Sequence, residues 1–143
     1  MAYLLDTNWM IQLLAGHKET AAFHKRIHPD KMAVSYITVG EIYDVAFAYA
    51  NPQAHLSSFR QFLAPFTLLT LNDAIMETFA EIRSYLRRRG ELISDFDMLL
   101  GATALHHDLT VLTYNALIAV TADAAMLRSE VLEPVMALCI VKS

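Results

Sequence analysis

The sequence predicts an α/β domain, with a central parallel sheet of four to five strands flanked by helices in a three-layer arrangement. Three observations predict it. Short apolar or β-branched runs alternate with longer segments of helical spacing, the pattern of strand–helix–strand units whose sheet is covered on both faces. No repeat, low-complexity tract or Gly/Pro-rich linker divides the 143 residues, a length suited to one domain with a proper core. The composition, 55% hydrophobic, is far too apolar for a disordered chain.

In chain order, Tyr3–Leu5 reads as a strand and Trp9–Leu14 as the start of a helix. Ala33–Ser35 is the second strand, and a helix over Glu41–Ala50 follows, stopped by Asn51-Pro52. Leu56–Leu63 is a short amphipathic helix, and Thr67–Leu71 has the β-branched and leucine character of a strand. The clearest helix spans Ala74–Arg89: Ile75, Phe79, Ile82 and Leu86 recur at helical spacing and Gly90 closes it. A helix over Asp97–His107, a strand over Thr110–Thr113, a helical stretch over Ala122–Leu132 and a last strand over Val135–Val141 complete the reading.

The bulk numbers narrow the function. The longest uncharged stretch, Leu109–Ala122, is too short for a spanning helix and is interrupted by Thr110, Thr113, Asn115 and Thr121. No membrane segment or export signal is expected. The single cysteine, Cys139, lies in an apolar run and reads as a buried thiol in a reducing cytoplasm. A net charge of −4 argues against a protein that coats nucleic acid, though not against one that holds a few phosphates through cations. The apolar surplus points to a subunit interface.

In an open parallel sheet, ligands sit beyond the carboxyl ends of the strands. The residues there are Asp6, Thr7 and Asn8, then Ser35 to Glu41, then Thr113 to Asn115, with Asp95 and Asp97 opening the helix before the fourth strand. Each acid alone is explained by capping. Asp6 precedes a helix, Thr38–Glu41 fits a capping box, and Ser94–Asp97 fits the same pattern with aspartate in the third place. Together they are harder to explain so. Two carboxylates about 5 Å apart repel by roughly 3 kcal/mol at an effective dielectric of ~20, and a third adds more. A raised pKa or a divalent cation would compensate. Oxygen ligands without cysteine or a spaced histidine pair suit magnesium or manganese rather than zinc, and a carboxylate-held ion at an open edge is equipment for cleaving a phosphodiester.

The segments YLLDTN (3–8), SYITVGEI (35–42), ISDFDMLLGATAL (93–105) and LTVLTYN (109–115) together resemble the PIN-domain ribonucleases, and in order and spacing the VapC toxins of type II toxin–antitoxin pairs. The resemblance implies a PIN-like fold and a metal-dependent endoribonuclease that cleaves RNA. It makes Asp6, Glu41 and Asp97 the catalytic, metal-binding acids, with Thr7, Asn8, Asp95, Thr113 and Asn115 in support. It also implies Mg2+ or Mn2+ as cofactor, a homodimer, and a small antitoxin protein that covers the active edge. After Asn115 the resemblance departs: Ile118 and Ala119 stand where the family carries a polar or acidic residue and an aromatic, and Asp123 is a distant substitute.

Two other functions compete. One is a catalytically weak or silent PIN-like module that acts by binding a protein. The other is an aspartate-nucleophile phosphatase built on Asp6, which lacks a second aspartate where Asn8 stands. His106-His107 reads as a helix end matched to the dipole, and His17, His24, His28 and His55 as surface. Arg83, Arg87, Arg88 and Arg89 are either a solvated helix end or a phosphate-backbone contact. Tyr43, Phe47 and Phe79 read as core or interface. No Gly-rich phosphate loop or Gly-x-Ser-x-Gly elbow occurs, which leaves nucleotide cofactors and serine hydrolysis unsupported.

Overall fold

A computed structural model describes residues 2–113. Its four strands are β1 (Tyr3–Leu5), β2 (Met32–Ser35), β3 (Thr67–Leu69) and β4 (Thr110–Leu112). They form one sheet in the order β3-β2-β1-β4, and every pairing is parallel. Six α-helices stand among the described residues: α1 (Thr7–Leu14), α2 (Lys18–Lys25), α3 (Tyr36–Ala46), α4 (Pro52–Leu63), α5 (Asp73–Arg88) and α6 (Asp95–His107). None is long and apolar enough to cross a membrane.

Alternation along the short strands distributes the core over two faces. Leu4, Ala33 and Val111 point to one side, where Ile75, Ile82 and Leu86 of α5 and Met98 and Ala102 of α6 meet them. Leu5, Met32, Val34 and Leu112 point to the other, against Trp9 and Met10 of α1, Val39 and Ile42 of α3, and Leu63 of α4. Adjacent strand residues therefore serve opposite layers, so the sheet is buried on both sides as expected. The expected spacing on α5 is realised: Ile75, Ile82 and Leu86 are buried and Phe79 packs against the same cluster. The helix closes with Gly90 at φ +67°, where the Gly90 N–H reaches the carbonyl of Arg87 and the Glu91 N–H that of Leu86.

Several boundaries differ from those expected. α3 begins at Tyr36 rather than Glu41 and ends at Ala46, because Ser35, the last residue of β2, caps it directly by accepting from the Ile37 N–H at 3.1 Å. Asn51-Pro52 starts α4 rather than merely stopping α3: Asn51 Oδ1 accepts from the Ala54 N–H, and proline occupies the first turn, where its missing N–H costs nothing. Strand β3 ends at Leu69, not Leu71. Helix α2 was not anticipated. The expected helix over 122–132 and strand over 135–141, with Cys139, lie outside the described residues.

Candidate active site

The strand order sets the location. The chain passes from β1 to β2 to β3 in one direction, then places β4 on the far side of β1. Such a reversal opens a crevice at the carboxyl ends of β1 and β4. Asp6 leaves β1 and Thr113 leaves β4 at this point, and the Thr113 hydroxyl donates to Asp6 Oδ2 at 2.6 Å. The other oxygen, Oδ1, accepts from the Thr7 N–H at 2.6 Å, which makes Asp6 the cap of α1 as well. Asp6 is 5% exposed. Burial pushes its carboxyl above the ordinary value of 3.8; the bonds from Thr113 and Thr7 pull it down, and the nearby charges of Asp97 and Glu41 push it up again.

Glu41 does not cap α3. Since that helix starts at Tyr36, Thr38 and Glu41 fall within it, and the capping-box reading of Thr38–Glu41 fails. The Glu41 carboxylate is instead free to reach α1, where the Thr7 hydroxyl donates to Oε1 at 2.6 Å. Thr7 also meets the buried Thr38 hydroxyl at 3.3 Å. A single side chain thus ties the first helix to the third and orients one acid, while its backbone holds another.

The Ser94–Asp97 pattern is realised in its main bond: Ser94 Oγ accepts from the Asp97 N–H at 3.1 Å and caps α6. That cap places the half-buried Asp97 side chain on the cavity wall. Asp95, two residues earlier, is exposed and held by Arg83, with Nε 3.0 Å from Oδ1. It does not line the cavity. Asn8 is exposed and does line it. Asn115, Ile118, Ala119 and Asp123 lie outside the described residues.

The crevice holds about 630 Å³ and brings together Asp6, Thr7, Asn8, Glu41 and Asp97. Tyr36, within the expected span Ser35 to Glu41, lines the same cavity, and so do Asp44 and Phe96, which sequence reading missed. Asp44 sits three residues beyond Glu41 on α3, a spacing that shares a helix face and was already legible within the expected helix over Glu41–Ala50. Among the described lining residues the donor atoms for a cation are oxygens, the set that suits magnesium or manganese. Among the described residues no three acids or histidines are already gathered as a direct ligand set. The spread acids therefore fit an ion that keeps several waters better than one stripped of them. The N-termini of α1, α3 and α6 all open at this edge, and their positive ends offset part of the acidic charge.

Other expected groups are placed elsewhere. His106 ends α6 and meets Asn72 at 3.3 Å, away from the cavity lining. His24, expected at the surface, is half-buried: its Nδ1 finds no hydrogen-bond partner among the described residues, and burial lowers its basicity. Arg88 bonds Ser84 and Arg89 bonds Glu91 and Tyr85, so both belong to their own helix end. Phe47, expected in core or interface, is 63% exposed.

Fold and crevice together define a class, and the family comparison agrees with it: the chain belongs to the PIN domain family, which it matches over residues 3–124. Within that family it is similar to Ribonuclease VapC2 of Haemophilus influenzae, 28% identical over 115 residues that cover 80% of this chain and 87% of that one. Among solved structures it resembles FitAcB from Neisseria gonorrhoeae, with a TM-score of 0.75 and 26% identity over 85% of this chain and 93% of the other. A toxin–antitoxin complex from Klebsiella pneumoniae also matches, with a TM-score of 0.67 and 25% identity over 80% and 88% of the two chains.

Proposed function

We propose that this chain is an endoribonuclease acting as the toxin of a toxin–antitoxin pair, with Asp6, Glu41 and Asp97 as the acids that hold magnesium or manganese. The observation that carries the reading is the buried Asp6 carboxylate, fixed from both sides by Thr7 and Thr113 and facing Glu41 and Asp97 across an open crevice. Like-charged acids around the buried Asp6 repel one another, and at neutral pH a cation held among them would offset that repulsion. When bound, such an ion neutralises charge developing on a phosphate and lowers the pKa of a water.

The chain's own residues supply the rest. Thr7 and Thr113 keep the Asp6 carboxylate in one orientation, and the Thr7 hydroxyl does the same for Glu41. Asp97 closes the opposite wall from the first turn of α6. The similarity to a VapC ribonuclease supports RNA as the substrate, and the likeness to a toxin–antitoxin complex supports an antitoxin partner. Exposed Phe47 and Tyr49 offer apolar surface for such contacts and for a homodimer. The place of action in this reading is the cytoplasm.

The test is cleavage of short single-stranded RNA by the purified chain, before and after chelation. Activity should vanish with chelator and return with manganese. Cleavage that survives chelation would remove the cation from the account, and a chain inert on every RNA would favour the silent binding module.

A further inference from the structure

The crevice poses an electrostatic problem that its acids alone do not solve. RNA is a polyanion, the chain carries −4, and among the described residues the cavity lining includes no lysine or arginine. Beyond the cation held at the acids, no basic side chain among the described lining residues adds to phosphate affinity, which gives weight to contacts with the bases. Two aromatic side chains stand on the lining, Tyr36 at the start of α3 and Phe96 beside Asp97 at the start of α6. They are 49% and 52% exposed, so each leaves about half its surface to solvent at the mouth of the site. Exposed aromatic rings offer a platform for any unpaired base, worth enough per base to replace several screened phosphate contacts.

Gly40 adds a second observation. It lies between Tyr36 and Asp44 on the helix face that lines the crevice. A glycine inside a helix destabilises it by about 1 kcal/mol relative to alanine. Among the described residues nothing lies within 4 Å of where its Cβ would stand, so close packing among them does not require the glycine. The bare strip of helix leaves room for a ligand to lie close to the backbone.

We propose that Tyr36 and Phe96 are stacking platforms for unpaired bases next to the phosphodiester held at the acids, and that Gly40 keeps the face of α3 beside Tyr36 open to the RNA. This rests on the ribonuclease reading above and adds to it the two side chains that would grip the RNA through its bases. Tyr36 and Phe96 are binding residues, and the acids remain responsible for cleavage.

The experiment measures equilibrium binding of a short single-stranded RNA carrying a fluorescent base to the cleavage-deficient Asp6→Asn protein. The same oligonucleotide with an abasic position at the scissile step serves as the second probe. Tyr36→Ala and Phe96→Ala should each weaken binding of the intact RNA by about tenfold and change binding of the abasic RNA much less. In the active protein the loss should fall on KM rather than kcat, and Tyr36→Phe should recover affinity relative to Tyr36→Ala. Gly40→Leu should weaken binding while raising thermal stability, since the added side chain meets open space. Equal loss on both probes, or no loss on either, overturns the stacking role. So does unchanged RNA affinity in variants that lose a protein partner, which would assign the rings to that interface. A wild type that neither binds nor cleaves RNA overturns the ribonuclease reading itself, and is distinguished from the other outcomes by that fact.

Discussion

The hydroxyl of Thr113 donates to Oδ2 of Asp6 at 2.6 Å, joining the ends of two neighbouring strands that are 107 residues apart in the chain. Both residues are buried, with Thr113 2% exposed, so the bond is made where water offers little substitute. Thr113→Val keeps the shape and removes the donor. Asp6 then loses a contact that lowers its pKa, and its carboxyl should titrate still higher. The acidic limb of the pH–rate profile should move to higher pH, and stability should fall by about 1–3 kcal/mol, as for other lost bonds to buried charged groups. An unshifted limb would mean that Asp6 does not govern the rate.

The raised pKa of Asp6 has a consequence for stability. Below the ordinary value of 3.8 the group is protonated in folded and unfolded chains alike and contributes no pH dependence. As pH rises from there through the higher folded value, the unfolded chain releases its proton first, and stability falls. Asp6→Asn abolishes this penalty, and asparagine still caps a helix well. The variant should melt at or above the wild-type temperature at pH 7, with the advantage disappearing near pH 4. Melting well below wild type at neutral pH would show that the carboxylate serves the fold first.

Manganese or magnesium should raise the melting temperature of the wild type. A ligand at about a hundred times its Kd adds roughly 2.7 kcal/mol, a shift of several degrees. Glu41→Gln and Asp97→Asn should each reduce the shift strongly. If millimolar manganese leaves the wild-type curve unmoved, Asp6 and Ser94 are helix caps and the acids hold no ion.

Asp95 separates an acid near the site from an acid in it. Its carboxylate is 59% exposed and paired with Arg83, itself 36% exposed. Exposed pairs of this kind contribute about 0–1 kcal/mol. Asp95→Ala should therefore change stability by less than about 1 kcal/mol and cleavage by less than about threefold. A tenfold fall in rate, with the melting curve unchanged, would bring Asp95 into the supporting set around the acids.

Much of this architecture was legible in the sequence, for definite reasons. Ile75, Ile82 and Leu86 fall at helical spacing because one face of α5 is buried, and Asp6 and Asp97 stand out because each follows a strand or opens a helix. The order of the strands was not legible, since it depends on pairings between distant residues. α2 carries little signal: Lys18–Lys25 is polar, buries Thr20 alone, and is capped by His17, an uncommon cap. The start of α3 was misplaced because Thr38–Glu41 imitates a capping box that begins three residues past the strand, while the true cap, Ser35, is the strand's own last residue. That error of register left Tyr36 in a loop before the helix, whereas it stands in the first turn of α3 on the crevice.

The central claim is that Asp6 is an acid of the cleavage site rather than only a helix cap. Its most direct test is the initial rate at which wild-type and Asp6→Asn proteins, purified identically, cleave a short single-stranded RNA in manganese. Since ionised ligands at such sites account for several kcal/mol of transition-state stabilisation, the variant should be slower by about a hundredfold or more while melting no lower than the wild type. A variant that cleaves at the wild-type rate would contradict the account.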